Sequence, residues 1–409
     1  MKRPIRPWGR AAHCARLAVV IVAIGFCAFQ SAAFQCQAQS AEIKHIVIIV
    51  QESRSFDTMF GQLPGANGAT TGDYLGQTVS LKQAPLSSDP LPDNYSVTKG
   101  IIDGGLDDFY YGNGNPEKSA YIQFSRSELP NYWEYAQNFA VADNFFASTY
   151  GASFANHLYL VAAQSGNAIG NPDSSVAWGC DSPAGTTVLL ANGQKVFPCF
   201  TIPTLPGELN PAGITWQYYA APKGQAGYIW SALDAIKGIR ESSQWTTNVL
   251  PVNQFVANAL SGTLANVVWV TPPQVDSDSP PANVCAGENW AVQMINAIME
   301  SPEWPSTAIF LTWSDYGGYY DHVAPPTVDS FGLSLRVPTL IISPYVKAGL
   351  VEHQQTEFSS LLASVEHQYG LPPLTARDAA ANDLWDAFDF NQQALSPLIL
   401  SAQKCSSSR

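Results

Sequence analysis

Eight residues near the start of the chain constrain the fold more than any other feature. Ile43-Lys-His-Ile-Val-Ile-Ile-Val50 is a mostly β-branched run that stops abruptly at Gln51-Glu52-Ser53-Arg54-Ser55-Phe56-Asp57. A near-continuous apolar strand has no face to give to water, so it reads as a strand of a parallel sheet covered on both sides. Thr307–Trp313, which leads into Ser314-Asp315-Tyr316-Gly317-Gly318, and Val337–Ser343 are runs of the same kind. Helical patterns over Phe154–Gln164, Asn289–Met299 and Phe358–Tyr369 alternate with them. The expected fold class is therefore α/β, a mainly parallel central sheet flanked by helices. Residues 166–262 are richer in Pro, Gly and Cys and poorly periodic, and are expected to form an insertion or cap.

The composition agrees with a large core. Of 409 residues, 46% are hydrophobic and 13% charged, which excludes disorder for most of the chain. The first 40 residues read separately. Lys2, Arg3, Arg6, Arg10 and Arg16 precede an apolar run from Leu17 to Phe29, followed by small and polar residues. That order describes a secretory signal peptide, with cleavage expected within about 33–41, and an uncleaved anchor is the alternative. The catalytic domain is then 41–409, periplasmic or secreted, with no later segment suited to crossing a bilayer.

Loss of the leader removes five basic residues and no acidic one, taking the formal charge from −13 to −18. Such a surface repels nucleic-acid backbones, so no nucleic-acid partner is expected. A phosphate substrate is still compatible, because a bound divalent cation can dominate the local field. Export also suits the cysteines. Cys14, Cys27 and Cys36 lie in the leader, and Cys180 and Cys199 are the expected disulfide among those that remain. Pairing of Cys285 with Cys405 stays open, and no C-x-x-C spacing suggests zinc.

In open parallel sheets the functional loops lie at the carboxyl ends of the strands. Two of the strands above end at an acid, Glu52 and Asp315, and two carboxylates on one rim are ingredients of a hard-cation site. The segment His45–Asp57, with its Gln-Glu-Ser-Arg-Ser-Phe-Asp ending, resembles the opening motif of the bacterial phosphoesterase family of phospholipases C and related acid phosphatases. Ala142-Asp-Asn-Phe-Phe-Ala-Ser148, Ser153-Phe-Ala-Asn-His-Leu-Tyr159, Gly287-Glu-Asn-Trp290, Trp313–Val323 and Arg336-Val-Pro-Thr-Leu-Ile-Ile-Ser-Pro344 follow in that family's order.

The resemblance implies an alkaline-phosphatase-like fold and a divalent metal of unspecified identity. It places Ser153 at the nucleophile, ahead of a helix whose positive end suits a phosphoryl oxygen. Glu52 and Asp315 fall on metal-binding positions, and His157 and His353 on positions where members carry a histidine that contacts phosphate or protonates a leaving group. Ser53 stands where the family has Asn, and Ser314 where it has the first of two adjacent acids, so both occupy ligand positions with hydroxyls. Asp278 and Ser279 align with a Ser-Asp-His segment on the substrate side. Asp321 and His322 follow the Gly-Gly turn and are expected to orient the acidic loop, with His322 near substrate.

Three functions follow as expectations. The first is an exported phosphoric-ester hydrolase acting on a phosphomonoester or a phospholipid. The second is a metal-free serine esterase, because Gly151-Ala-Ser-Phe-Ala155 resembles a nucleophile elbow and Ser153, Asp315 and His353 come in the α/β-hydrolase order. The third is a catalytically weakened member that binds a phosphorylated or lipid ligand, because three polar positions have become serine. The Ser-rich tail after Lys404 is expected to be mobile.

Overall fold

The computed structural model describes residues 43–109, 119–151 and 153–406, so the expected leader lies outside the described residues. Eight strands form the central sheet: β1 (His45–Gln51), β2 (Ala140–Ala142), β3 (Trp216–Ala220), β4 (Val249–Pro251), β5 (Val267–Val270), β6 (Thr307–Trp313), β7 (Thr339–Ile342) and β8 (Leu350–Glu352). Their order across the sheet is β4-β3-β5-β1-β6-β7-β2-β8. Every adjacent pair is parallel except the two that involve β7. β1 and β6 lie at the centre and are buried throughout except for His45, as their apolar runs require.

β7 is shorter than the run Val337–Ser343 and points against its neighbours. A parallel return needs a crossover, usually a helix. The connection 314–338 contains none, so the chain comes back antiparallel.

Five helices matter for the site: α1 (Tyr95–Asp103), α2 (Pro130–Asn138), α3 (Ser153–Ala162), α4 (Val284–Met299) and α5 (Phe358–Tyr369). All ten residues of α3 are buried, and Trp269 Nε1 donates to its Leu160 carbonyl at 2.9 Å. α4 begins five residues before the expected Asn289, because Asn283 caps it by accepting from the Cys285 N–H at 3.0 Å. Gly287 lies within the first turn of this helix. Here it makes room, since a β-carbon on it would stand 2.0 Å from Asp278 Oδ1.

Within 166–262, Trp216–Ala220 and Val249–Pro251 are β3 and β4 of the central sheet, at its outer edge. The earlier part carries the small Val188–Leu189/Lys195–Val196 hairpin and the Cys180–Cys199 disulfide. Cys285 and Cys405 form a second disulfide. Cys405 is therefore tied to α4 and Asn283 Nδ2 donates to the Ser406 carbonyl at 3.3 Å, while residues 407–409 of the Ser-rich tail lie outside the described residues. Asn289 Nδ2 donates to the Gln403 carbonyl at 2.9 Å and Asn296 Nδ2 to the Leu400 carbonyl at 2.7 Å, while both tail N–H groups donate back to the same asparagines.

Candidate active site

The site begins with register. Gln51 at the end of β1 pairs with Trp313 at the end of β6, and the pairing continues past both strands. Ser314 N–H donates to the Gln51 carbonyl and Arg54 N–H to the Asp315 carbonyl, each at 2.9 Å. Glu52 and the Ser314–Asp315 pair are therefore side by side at the sheet's carboxyl edge. Ser53, between them in the chain, has a left-handed backbone (φ 58°), a conformation that Asn tolerates better than Ser.

Ser153 opens α3 with its hydroxyl aimed at Asp315, donating to Oδ2 at 2.5 Å. Ser314 Oγ lies between the two acids, 2.6 Å from Glu52 Oε2 and 3.2 Å from Asp315 Oδ2. Gly317 N–H donates to Asp315 Oδ1 at 2.8 Å. His157 is on the same face of α3 one turn after Ser153, and its Nε2 meets Glu52 Oε1 at 2.9 Å. Its Nδ1 is buried without a hydrogen-bond partner. Glu52, Ser314 and Asp315 are fully buried, and Ser53, Ser153 and His157 nearly so.

A residue without any local signal in the sequence joins this group. Asp93 precedes α1, and its carboxyl lies within the influence of the Asp315 charge. Asp93 is half-buried. Burial, then the charge of Asp315, push its pKa well above the usual range. Burial likewise raises Glu52, with His157 opposing the shift. The Glu52 and Asp315 carboxyls and two serine hydroxyls converge here. His157 is the one basic side chain ion-paired to Glu52, Asp93 or Asp315 among the described residues. An oxygen-rich donor set with uncompensated negative charge fits a hard divalent cation.

Asp278 and Ser279 lie elsewhere relative to this centre. Asp278 is fully buried beneath the Gln51 end of β1 and accepts from Trp313 Nε1 at 2.8 Å and Tyr132 OH at 3.1 Å. Burial raises its pKa to about 7, against the opposing charge of Arg54. Glu288 on α4, raised by burial to about 8, accepts from the Tyr132 N–H. Ser279 is half-buried, and its N–H donates to Ser277 Oγ.

His322 and His353 belong to a second polar cluster. His322 Nδ1 meets Asp57 Oδ2 at 2.6 Å, and its Nε2 meets Asn67 Oδ1 at 3.1 Å. His353, with its side chain 64% exposed, pairs with Asp143 at 2.8 Å. Asp57, Asp321 and His322 have ligand atoms close enough to hold an ion. However, the fully buried Arg336 already bonds both acids: its Nε donates to Asp321 Oδ1 at 2.8 Å and its Nη2 to Asp57 Oδ1 at 3.2 Å. That charge is compensated, so this cluster reads as a structural network. The esterase triad is not assembled in this structure, since His353 pairs with Asp143 while Ser153 bonds Asp315 directly.

A buried hydroxyl at a helix start, set among carboxylates at a sheet's carboxyl edge, defines a class of hydrolases that act on anionic esters. Residues 43–372 match the model of the Phosphoesterase family, and the chain belongs to that family. It is a hydrolase acting on phosphoric ester bonds. It is 25% identical to phospholipase C A of Mycobacterium tuberculosis, over 87% of this chain and 79% of that protein. With non-specific phospholipase C4 of Arabidopsis thaliana it shares 28% identity, covering 84% and 71%. A solved protein of the alkaline phosphatase superfamily from Vibrio parahaemolyticus aligns with TM-score 0.41 and 11% identity over 84% of this chain and 69% of that one, too distant to bear on function. Among the described residues no helix is long and apolar enough to cross a membrane.

Proposed function

We propose that the chain is an exported hydrolase of phospholipid head-group esters, with Ser153 as nucleophile and a divalent cation held by Glu52 and Asp315, with Ser53 and Ser314 beside them. The observation that carries this reading is the 2.5 Å hydrogen bond from Ser153 Oγ to Asp315 Oδ2 at the first turn of α3. A cation bound there would neutralise the carboxylates and favour the serine alkoxide. Asp315 orients the hydroxyl for attack on phosphorus. The helix start presents its positive dipole end to the phosphoryl oxygens. His157 fixes Glu52 from the next turn of the same helix. The Ser153 Oγ–P bond forms as the P–O bond to the leaving alcohol breaks. The hydroxyl proton leaves along the hydrogen bond to Asp315, and a proton reaches the leaving oxygen. Water then cleaves the phosphoseryl ester and restores the Ser153 hydroxyl.

The preference for a lipid diester is supported by the relatives, which are named phospholipases C. Export is supported by the signal-peptide pattern of the first 40 residues and by two disulfides.

The test is hydrolysis of p-nitrophenylphosphorylcholine and p-nitrophenyl phosphate, with and without chelator, by the parent and by Ser153→Ala. Chelator-sensitive turnover that prefers the choline ester and falls about 10³-fold or more in the variant is the expected result. Preference for the monoester would make the enzyme a phosphatase. A folded protein with no turnover under any divalent cation would leave a ligand-binding role.

A further inference from the structure

Displacement at phosphorus needs donors for the non-bridging oxygens as well as a nucleophile. We propose that Asn171, a residue of the cap, binds the substrate: its side-chain NH2 donates to a non-bridging phosphoryl oxygen of the ester that Ser153 attacks. The proposal rests on the reading of Ser153 as nucleophile.

The carboxamide is held beside the nucleophile by its other end. Asn171 Oδ1 accepts from the N–H of Phe154, the residue after Ser153, at 2.9 Å. A carboxamide is planar, so fixing its oxygen on that N–H restricts where its NH2 can point. The NH2 has no hydrogen-bond partner among the described residues, and Asn171 is exposed. An aspartate would accept from the same N–H, and its charge would suit a helix start better. What asparagine adds here is a pair of N–H donors that no described residue receives.

Both partners are firmly placed. On either side of Asn171, Ile169 N–H donates to the Leu189 carbonyl and Asp173 N–H to the Thr187 carbonyl, each at 3.0 Å. Thr187 Oγ1 returns a bond to Asp173 Oδ2 at 3.0 Å. The Phe154 ring packs against Trp178 and Phe200 of the same cap, with centroids 6.4 and 6.2 Å away. The loop before Ser153 is clamped from α3. Asn156 Oδ1 accepts from the Thr149 N–H at 3.1 Å, and its Nδ2 donates to the Gly151 carbonyl at 3.0 Å. Gly151 (φ +56°) lets the chain in front of α1 come close, since a β-carbon on it would stand 2.1 Å from the Asp93 carbonyl oxygen. The nucleophile and the Asn171 carboxamide are therefore one preformed unit, the condition for a donor to act on charge that develops in the transition state.

Charge suits a neutral donor here. Among the described residues neither Lys nor Arg ion-pairs Glu52 or Asp315. Asn171 offers N–H groups to an anion without adding a cation that those acids would capture.

The test is hydrolysis of p-nitrophenylphosphorylcholine and of its two phosphorothioate diastereomers, in the same divalent cation, by the parent, Asn171→Asp, Asn171→Ala and Ser153→Ala. Asn171→Asp keeps the acceptor for the Phe154 N–H, so it should melt with the parent while kcat/KM falls about 10²-fold or more. Asn171→Ala should fall similarly, mainly through kcat. Sulfur is a poor hydrogen-bond acceptor, so the preference for oxygen over sulfur in one diastereomer should shrink in both Asn171 variants. A residue that only holds α3 would lower the rate and leave both oxygen-to-sulfur ratios as in the parent. That result, or parent-like kcat/KM in Asn171→Ala, overturns the proposal. If Asn171→Ala does not melt cooperatively, the ratios in Asn171→Asp decide. Undiminished turnover by Ser153→Ala, or none by the parent, overturns the reading of Ser153 and this proposal with it.

Discussion

Replacing Arg336 with Met separates a structural ion network from a metal site more sharply than any change in the catalytic centre. The guanidinium is fully buried and donates to Asp321 through Nε and Nη2 and to Asp57 through Nη2. It also bonds the Asn67 and Asp143 carbonyls through Nη1, at 2.8 and 2.6 Å. Met fills similar volume with a flexible chain, so the cavity term stays small and lost charge compensation dominates. Removing one partner of a buried ion pair costs about 3–5 kcal/mol, a large share of a typical stability of about 5–15 kcal/mol. Two buried acids lose their guanidinium at once, though Asp57 keeps His322 and both keep backbone N–H donors, so a loss within that range is expected. Burial already raises Asp321, and Arg336 is the main influence holding it down. Without Arg336 its folded pKa climbs further, and the folded state binds protons that the unfolded state has released. Stability must then fall as pH rises from the unfolded carboxylate pKa toward neutrality, and the deficit against the parent must be larger at pH 7.5 than at pH 5. Urea unfolding at both pH values, with the disulfides intact, measures it. A pH-independent loss below about 1 kcal/mol, as for an exposed pair, would refute this account of the cluster.

Two further changes test other parts of the fold. Asp278→Asn keeps an acceptor for Trp313 and Tyr132 but removes an acid raised to about 7, so stability should fall less steeply between about pH 4 and 7. Unfolding midpoints across that range should show a slope smaller by roughly one proton, and an unchanged slope would mean Asp278 titrates normally. Replacing Cys285 and Cys405 by Ser opens a loop of 120 residues, for which chain entropy suggests a loss of up to about 4.7 kcal/mol. Thermal melts should fall accordingly and protease should trim the tail near Leu400, whereas an unchanged melt would show that the asparagine contacts alone hold it.

A strand is legible in the sequence where it is apolar without interruption and illegible where burial is shared with aromatic or polar groups. β1 and β6 are legible because both faces are covered, leaving no polar position to break the run. β3 reads Trp-Gln-Tyr-Tyr-Ala, with Gln217 half-buried, and gives neither a clean alternation nor a β-branched run. β4 is only three residues long. Both therefore vanish into a stretch that composition marks as an insertion. α4 extends N-terminally past Asn289 through Gly287, and sequence cannot distinguish a glycine that breaks a helix from one that lets Asp278 approach.

The site divides along the same line. Glu52 and Asp315 are legible because each follows a recognisable strand at once, and the parallel register then delivers them to one place without further information. Ser153 is legible through its motif and its helix. Asp93 is not, because Leu-Pro-Asp-Asn looks like a turn and helix cap, and that is also its local structure. What brings it to Asp315 is the pair of close approaches at Gly151 and Gly318, which are 58 and 225 positions away and carry no mark of the contact. His353 likewise follows a strand at the same edge of the sheet, across β7 and β2 from β6, and its pairing with Asp143 carries no mark in the sequence. Strand-end acids can be counted from sequence, but the charge balance of a site cannot. It depends on which loops cross the edge. Here that balance, with Arg336 in one cluster and no Lys or Arg ion-paired in the other among the described residues, separates a framework from the centre proposed to hold an ion and a phosphate.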